Sequence, residues 1–340
     1  IITAALCQLV ETYGRTITIV PNKSLVTQTE EDFIACNLDT GVYYGDRKEV
    51  GRYNTIATWQ SLNVLEKKAK NEHSTEFKEF CDGINTVIID EVHMAKADVL
   101  KRLLTGPFAH CGIRWGLTGT VPKADYEFMG LKCSIGDVTN RIQASELQDK
   151  GVLANCHVNV LQPQDHPQFK TYAEELKWLT TDAVRMKWIA NTIKDISTSG
   201  NTLILVDRIS AGEILEKQLP GSVFVSGSTK NVDRKEQYDE VSTATNKVII
   251  ATYGVASVGI NIPRIFNLVL IEPGKSFVRV IQSIGRGIRK AEDKENVQIW
   301  DITSSCKFAK RHLGARKKFY KEANYPYNIE KINYENPYTR

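Results

Sequence analysis

Short β-branched runs recur along this chain with helix-length stretches between them, and that alternation constrains the fold more than any other feature. In the first half the runs are Thr16–Val20, Thr55–Thr58, Val87–Asp90 and Arg114–Thr118. In the second they are Thr202–Val206, Val223–Ser226, Lys247–Thr252, Leu268–Ile271 and Val297–Asp301. Alternation of this kind builds βαβ units and parallel sheets, here twice over. The pattern predicts an α/β chain with two tandem parallel-sheet lobes and a cleft between them, residues 1–148 forming the first lobe and 169–306 the second. Lys150-Gly151-Val152 and the stretch around Pro163 and Pro167 interrupt the alternation, so residues 149–168 are predicted as an interlobe linker. At 340 residues the chain can bury a core in each of two lobes.

Hydrophobic content of 42% and charged content of 25% are those of a globular protein. No run of about 18 apolar residues exists to span a membrane, so no membrane partner is expected. The seven cysteines (7, 36, 81, 111, 133, 156 and 306) are odd in number and lack a Cys-x-x-Cys pair. They read as buried thiols in a reducing compartment, with neither a zinc site nor a disulfide framework. The net charge of +4 is concentrated at the end, where nine Lys/Arg face three Glu between Lys307 and Arg340. Bases there alternate with rings, Arg316, Lys317 and Lys318 preceding Phe319 and Tyr320. That mixture suits a nucleic-acid backbone and its bases, and residues 307–340 are predicted as a basic aromatic tail. A solvated surface helix is the competing reading of the same charges.

The run Val87-Ile88-Ile89 leads straight into Asp90-Glu91-Val92-His93. A buried parallel strand delivers polar residues to the carboxyl edge of its sheet, where α/β proteins bind ligands. One carboxylate there can hold Mg²⁺ through water, and a second can orient the water that attacks a γ-phosphate. Further on, Gln282, Arg286 and Arg289 lie four and three residues apart, so on a helix all three share one face. Arginines so grouped can neutralise charge on a transferring phosphoryl group. Gly285 and Gly287 between them are poor helix formers and point to close backbone approach. A Gly-x-x-x-x-Gly-Lys-Ser/Thr loop is not present. Gly274-Lys275-Ser276 imitates its end, but Val269, five residues before Gly274, lies inside a strand run.

Asp90–His93, Leu117-Thr118-Gly119-Thr120, Ala251-Thr252-Tyr253-Gly254 with Gly259, and Gln282–Arg289 resemble motifs II, III, V and VI of the superfamily 2 helicases in order and spacing. The branch they look most like is that of the UvsW-type phage recombination helicases, which resemble the XPB and type I/III restriction translocases. The resemblance implies two RecA-like lobes and a nucleic-acid-dependent ATPase that translocates on or remodels DNA, using ATP and Mg²⁺. It casts Glu91 as general base or water-positioner, Asp90 as the Mg²⁺-bridging carboxylate through water, and His93, Thr118 and Thr120 as couplers between nucleotide and nucleic acid. Gln282, Arg286 and Arg289 become the catalytic arginine motif. Gly259 and Asn261 are cast near the nucleotide, although the family usually has an acidic residue where Asn261 stands.

Pro21-Asn22-Lys23 resembles motif Ia, Thr58-Trp59-Gln60 motif Ic and Asp207-Arg208 motif IV. With Thr252 and Gly254 these imply contacts to a nucleic-acid backbone by Pro21, Asn22, Thr58, Gln60, Asp207 and Arg208. The opening Ile1–Val10 looks like the helix that follows a P-loop, so the chain is expected to begin just after one. DNA is the expected partner more than RNA, and a monomer is expected. Two other readings stand beside this one: an RNA helicase, since recognition of a 2′-hydroxyl leaves no mark on motif spacing, and a nucleic-acid-binding module whose ATPase lobes no longer hydrolyse.

Overall fold

The computed structural model describes residues 2–94, 97–119, 121, 125–151, 153–227, 244–259, 262, 264–275 and 294–334. The chain divides into two compact units, Ile1–Arg141 and Ile142–Arg340, each with its own sheet.

Among the described residues the first unit carries six strands: β1 (Arg15–Val20), β2 (Thr40–Tyr44), β3 (Arg47–Lys48), β4 (Asn54–Thr58), β5 (Ile84–Ile89) and β6 (Ile113–Gly116). Their order is β3-β2-β4-β1-β5-β6, parallel throughout except for the short β2–β3 hairpin. The central strands are covered on both faces, which explains their near-continuous apolar runs. On one face Ile17, Ile19, Val87 and Ile89 pack with Leu62, Leu65, Leu100 and Leu103. On the other, Val20, Ile56 and Ile88 pack with Ala4, Val26 and Phe33. Chain order reverses about β1, which pairs with β4 on one side and β5 on the other. Such a reversal opens a crevice at the carboxyl ends of the strands.

The second unit carries β7 (Asn155–Pro163), β8 (Thr202–Val206), β9 (Val223–Val225), β10 (Val248–Thr252), β11 (Asn267–Ile271), β12 (Asn296–Ile302) and β13 (Tyr327–Ile332). Their order is β13-β7-β12-β11-β8-β10-β9, every pairing parallel. Helices Ala183–Ser197 and Ile209–Gln218 bury Met186, Ile189, Ile193 and Leu215 against Ile204, Ile250 and Val269 on one face. Helix Lys307–Glu322 lays Leu313 and Tyr320 on the opposite face, against Val158, Val160, Leu268 and Ile299.

Two expectations about organisation are corrected. The stretch 149–168 is not a linker, because it contains β7, held between β12 and β13. Its Pro163 closes the strand, a position where proline costs no interior ladder bond. Nor do the described residues of the predicted basic aromatic tail, 307–334, stand apart from the second sheet, for residues 307–322 form a packed helix and 327–332 an edge strand of it. Ala309, Leu313, Arg316 and Tyr320 recur at helical spacing and are all buried, so this helix is bound to the sheet by one continuous stripe. All seven cysteines are free, and among the described residues no helix is long and apolar enough to cross a membrane.

Candidate functional residues at the carboxyl edge of each sheet

In the first unit, four of the sequence motifs arrive at one edge of one sheet. Pro21 and Asn22 follow β1, Trp59 and Gln60 follow β4, Asp90 and Glu91 follow β5, and Leu117 and Thr118 follow β6. The backbone knits these ends together: Asp90 N–H donates to Ile19 O at 3.0 Å, Val92 N–H to Leu117 O at 2.9 Å, and Leu117 N–H to Ile89 O at 2.8 Å. Motif Ia meets motif Ic where Gln60 Nε2 donates to Pro21 O at 3.0 Å. Asn22 Oδ1 accepts from Leu25 N–H and Thr58 Oγ1 from Ser61 N–H. These two side chains therefore cap helices Lys23–Ala35 and Trp59–Asn71, fixing helix N-termini on this edge, where amide donors favour anions.

Asp90 and Glu91 are half-buried. Burial raises the Asp90 carboxyl above its ordinary value, opposed by the Glu91 N–H that donates to its Oδ1 at 2.9 Å. Glu91 holds φ at 49°, a left-handed conformation that a residue with a Cβ adopts at a cost. Backbone strain of this kind concentrates where a side chain must be aimed. His93 Nδ1 lies 2.7 Å from Thr118 Oγ1 and 3.4 Å from Glu91 Oε2. Burial lowers the His93 pKa from 6.5, so at pH 7 the ring is neutral and its approach to Glu91 is a polar contact, not an ion pair. A carboxylate, an imidazole and a hydroxyl thus form one short chain from the end of β5 to the end of β6.

In the second unit, Asp207 and Arg208 follow β8 and are half-buried. Thr252 ends β10, with its Oγ1 accepting from Val255 N–H at 3.4 Å in the first turn of helix Tyr253–Gly259, where Gly254 is exposed. Gly259 closes that helix. Thr120, Asn261, Gln282, Arg286 and Arg289 lie outside the described residues.

Arg316 is the clear correction among the expected nucleic-acid contacts. Its side chain is 1% exposed and forms a two-pronged pair with Asp301, Nε to Oδ2 at 2.8 Å and Nη2 to Oδ1 at 2.9 Å. Its Nη1 donates to Gly274 O at 2.7 Å, and Tyr320 Oη donates to Asp301 Oδ2 at 2.7 Å. Buried guanidinium and carboxylate need each other, so neither is free for a phosphate. The neighbouring Lys317 is half-buried and Lys318 exposed, which keeps both available for solvent or a polyanion.

Sequence reasoning also missed a second buried cluster beside the first. Arg185 donates to Glu272 Oε1 at 2.8 Å, to Thr303 O at 2.8 Å and to Asp165 Oδ2 at 3.3 Å. Asp165 further accepts from Ser304 Oγ and Tyr334 Oη, each at 2.6 Å. Burial raises the Glu272 carboxyl to about 7, against the pull of Arg185 and Arg316. A signal for Asp301 was present: in Val297-x-Ile299-x-Asp301 the strand period puts the charge on the core face, which demands a buried partner.

With this geometry established, relatives are informative. Residues 1–123 match the family described as Type III restriction enzyme, res subunit, and residues 185–291 match the Helicase conserved C-terminal domain. The chain is similar to the ATP-dependent DNA helicase uvsW of Enterobacteria phage T4, 25% identical over 326 residues, covering 90% of this chain and 62% of that protein. It is similar to a putative DNA 3′-5′ helicase Rad25 of Halobacterium salinarum, 26% identical over 301 residues, covering 84% of this chain and 47% of that one. Among solved structures, a fragment of a putative HsdR subunit of a type I restriction enzyme from Vibrio vulnificus shares the fold. It aligns with a TM-score of 0.69 at 18% identity, covering 95% of this chain and 58% of that chain. The chain thus spans less than two thirds of the length of these relatives.

Proposed function

We propose that this chain is part of a superfamily 2 helicase that hydrolyses ATP in response to DNA and uses the cycle to translocate on or remodel it, a protein whose phosphate-cradling Gly-x-x-x-x-Gly-Lys-Ser/Thr loop is not among the residues of this sequence. The observation that carries this reading is the gathering of Asp90-Glu91-Val92-His93 and Thr118 at one edge of one parallel sheet, with His93 bonded to Thr118 at 2.7 Å. The carboxylates present fit Mg²⁺, while the loop and lysine that would cradle the ATP phosphates are not in this sequence. Asp90 offers a hard oxygen donor, and Mg²⁺ keeps most of its waters and needs only one or two carboxylates beside the substrate phosphates. Asp90 would hold the ion through water, and the charge neutralisation the phosphates need would come from it. Glu91, with its strained backbone, orients the attacking water and accepts its proton. His93 and Thr118 link that carboxylate to the end of β6, so that nucleotide occupancy and nucleic-acid contact are read by the same chain of atoms.

DNA is favoured over RNA because the relatives named above are DNA helicases. Pro21 just past β1, Thr252 at the end of β10, and Gln60 and Gly254 in the first turns of the helices that follow β4 and β10 stand where backbone contact is made in the family, and Arg286 and Arg289 are assigned charge neutralisation by the family motif. The test is Glu91→Gln in the intact protein. DNA-stimulated ATP turnover should fall by about 10²–10⁴-fold while ATP binding stays within about twofold. Turnover that survives this substitution would place the water-activating group elsewhere. Equal stimulation by RNA and DNA would overturn the substrate assignment.

A further inference from the structure

The chain leaves β11 through Glu272, Pro273, Gly274 and Lys275 before running on, in sequence, to Gln282, Arg286 and Arg289. Two of these four residues have left-handed backbone: Glu272 at φ 44° and Gly274 at φ 71°. Both are held by a fully buried arginine, and the two arginines come from opposite faces of the sheet. Arg185, on helix Ala183–Ser197, grips the Glu272 carboxylate at 2.8 Å. Arg316, on helix Lys307–Glu322, grips the Gly274 carbonyl at 2.7 Å while Asp301 fixes its other prong. A packing role would need only the ion pair. The third bond, from Arg316 to a main-chain oxygen past the end of a strand, fixes a direction of exit.

We infer that Arg316, oriented by Asp301 and Tyr320, is a positioning residue for ATP hydrolysis, clamping the Glu272–Lys275 turn from one face as Arg185 does from the other, so that the arginine motif departs from a fixed point. This rests on the functional reading above for its link to catalysis. A phosphoryl transfer that relies on positioned arginines is sensitive to displacement, and an ångström at the reacting centre can cost about a hundredfold. The clamp is also built from groups that tolerate little substitution. A lysine at 316 keeps the charge beside Asp301 but lacks the planar fork that reaches both the carboxylate and the carbonyl.

The test uses the intact protein with the three charged or polar partners replaced together by apolar ones, Asp301→Leu, Arg316→Met and Tyr320→Phe. Apolar replacement of a whole buried ionic cluster commonly keeps a fold that single removal would break. Two quantities are read: amide exchange of a peptide spanning Glu272–Lys275, with β8 and β10 as internal references, and kcat against KM for DNA-stimulated ATP hydrolysis. The clamp requires faster exchange in that peptide alone and a kcat lower by about tenfold, with KM for ATP within about twofold. A folded variant with unchanged exchange, or with faster exchange and wild-type kcat, overturns the inference. Should the triple variant fail to fold, Arg316→Lys is read by the same two criteria. Arg286→Ala separates the two levels: if it leaves kcat intact, the assignment of the arginine motif has failed, and the exchange result still judges whether Arg316 fixes the turn.

Discussion

Two glutamates in this molecule share an unusual backbone and little else. Glu91 and Glu272 each stand just past the end of a parallel strand, with φ at 49° and 44°. Glu91 is half-buried on an edge where the ends of β1, β4, β5 and β6 meet, with a neutral imidazole beside it. Glu272 is 4% exposed and enclosed by Arg185, with Arg316 close enough to influence its charge. The same local strain therefore occurs at a half-buried carboxylate in one lobe and at a sealed structural anchor in the other. A strained carboxylate at a strand end is no site by itself. What surrounds it decides whether it meets substrate or holds the scaffold.

That contrast predicts opposite kinds of damage. The largest effect belongs to the half-buried carboxylate: Glu91→Gln should remove about 10²–10⁴-fold of turnover and leave unfolding unchanged to about 0.5 kcal/mol, checked by steady-state kinetics and denaturant titration. Next, Arg316→Ala should destabilise the second lobe by about 3–5 kcal/mol, because Asp301 is left charged and buried. Urea unfolding followed in the second lobe measures this, and a loss below about 1 kcal/mol would erase the distinction between the two edges. In the first lobe, His93→Ala and Thr118→Val should be non-additive in DNA-stimulated kcat, with a coupling of about 0.5–3 kcal/mol from a double-mutant cycle. Additive losses would mean that the hydrogen bond between them carries no signal.

Glu272 sharpens the comparison through pH. Its carboxyl is raised in the folded state from an ordinary 4.5 to about 7, so its stabilising contribution is complete below about 4.5 and is lost as pH rises through 7. Glu272→Gln should therefore flatten the fall in stability between those values, and a pH series of melting curves for both proteins would show it. The smallest effect is expected on the surface. Replacing Lys317 and Lys318 by alanine should flatten the salt dependence of duplex DNA binding by about 0.9 for each phosphate no longer neutralised, with stability within about 0.5 kcal/mol. An unchanged slope would remove this helix from the nucleic-acid surface.

Much of the fold is legible in the sequence. β8 occupies the residues its apolar run marks, and β1, β4, β5, β10, β11 and β12 begin or end within a few residues of theirs, because strands buried on both faces declare themselves by continuous β-branched residues. Of the edge strands, β6 and β9 are marked by their runs, whereas β3 and β13 are not. β13 reads Tyr-Asn-Ile-Glu-Lys-Ile, mostly exposed, and such a strand is indistinguishable by composition from a polar tail. β7 is obscured by its terminal Pro163 and by the glycine-containing turn before it.

In the candidate site, the placement of Asp90, Glu91, His93 and Thr118 follows from strand ends alone. Arg316 escapes the same reasoning because Arg316-Lys317-Lys318 reads as one basic run. On a helix those three point in different directions, and only Arg316 falls on the stripe of Ala309, Leu313 and Tyr320. Asn22 and Thr58 have the residue types of nucleic-acid contacts, whereas their oxygens are occupied in capping.

The position of β7 has a consequence for how the second lobe is made. It is the first strand of that sheet to leave the ribosome, yet its two neighbours are the last, β12 at Asn296–Ile302 and β13 at Tyr327–Ile332. Some 130 residues separate the end of β7 from the start of β12, which at about 5–20 residues per second is about 7–26 s of elongation. Throughout that interval a nine-residue strand with buried, apolar side chains has both hydrogen-bonding edges open. Nascent-chain crowding and chaperone demand should peak there, and a ribosome stalled before β12 would present this strand as the segment most apt to pair with the wrong neighbour.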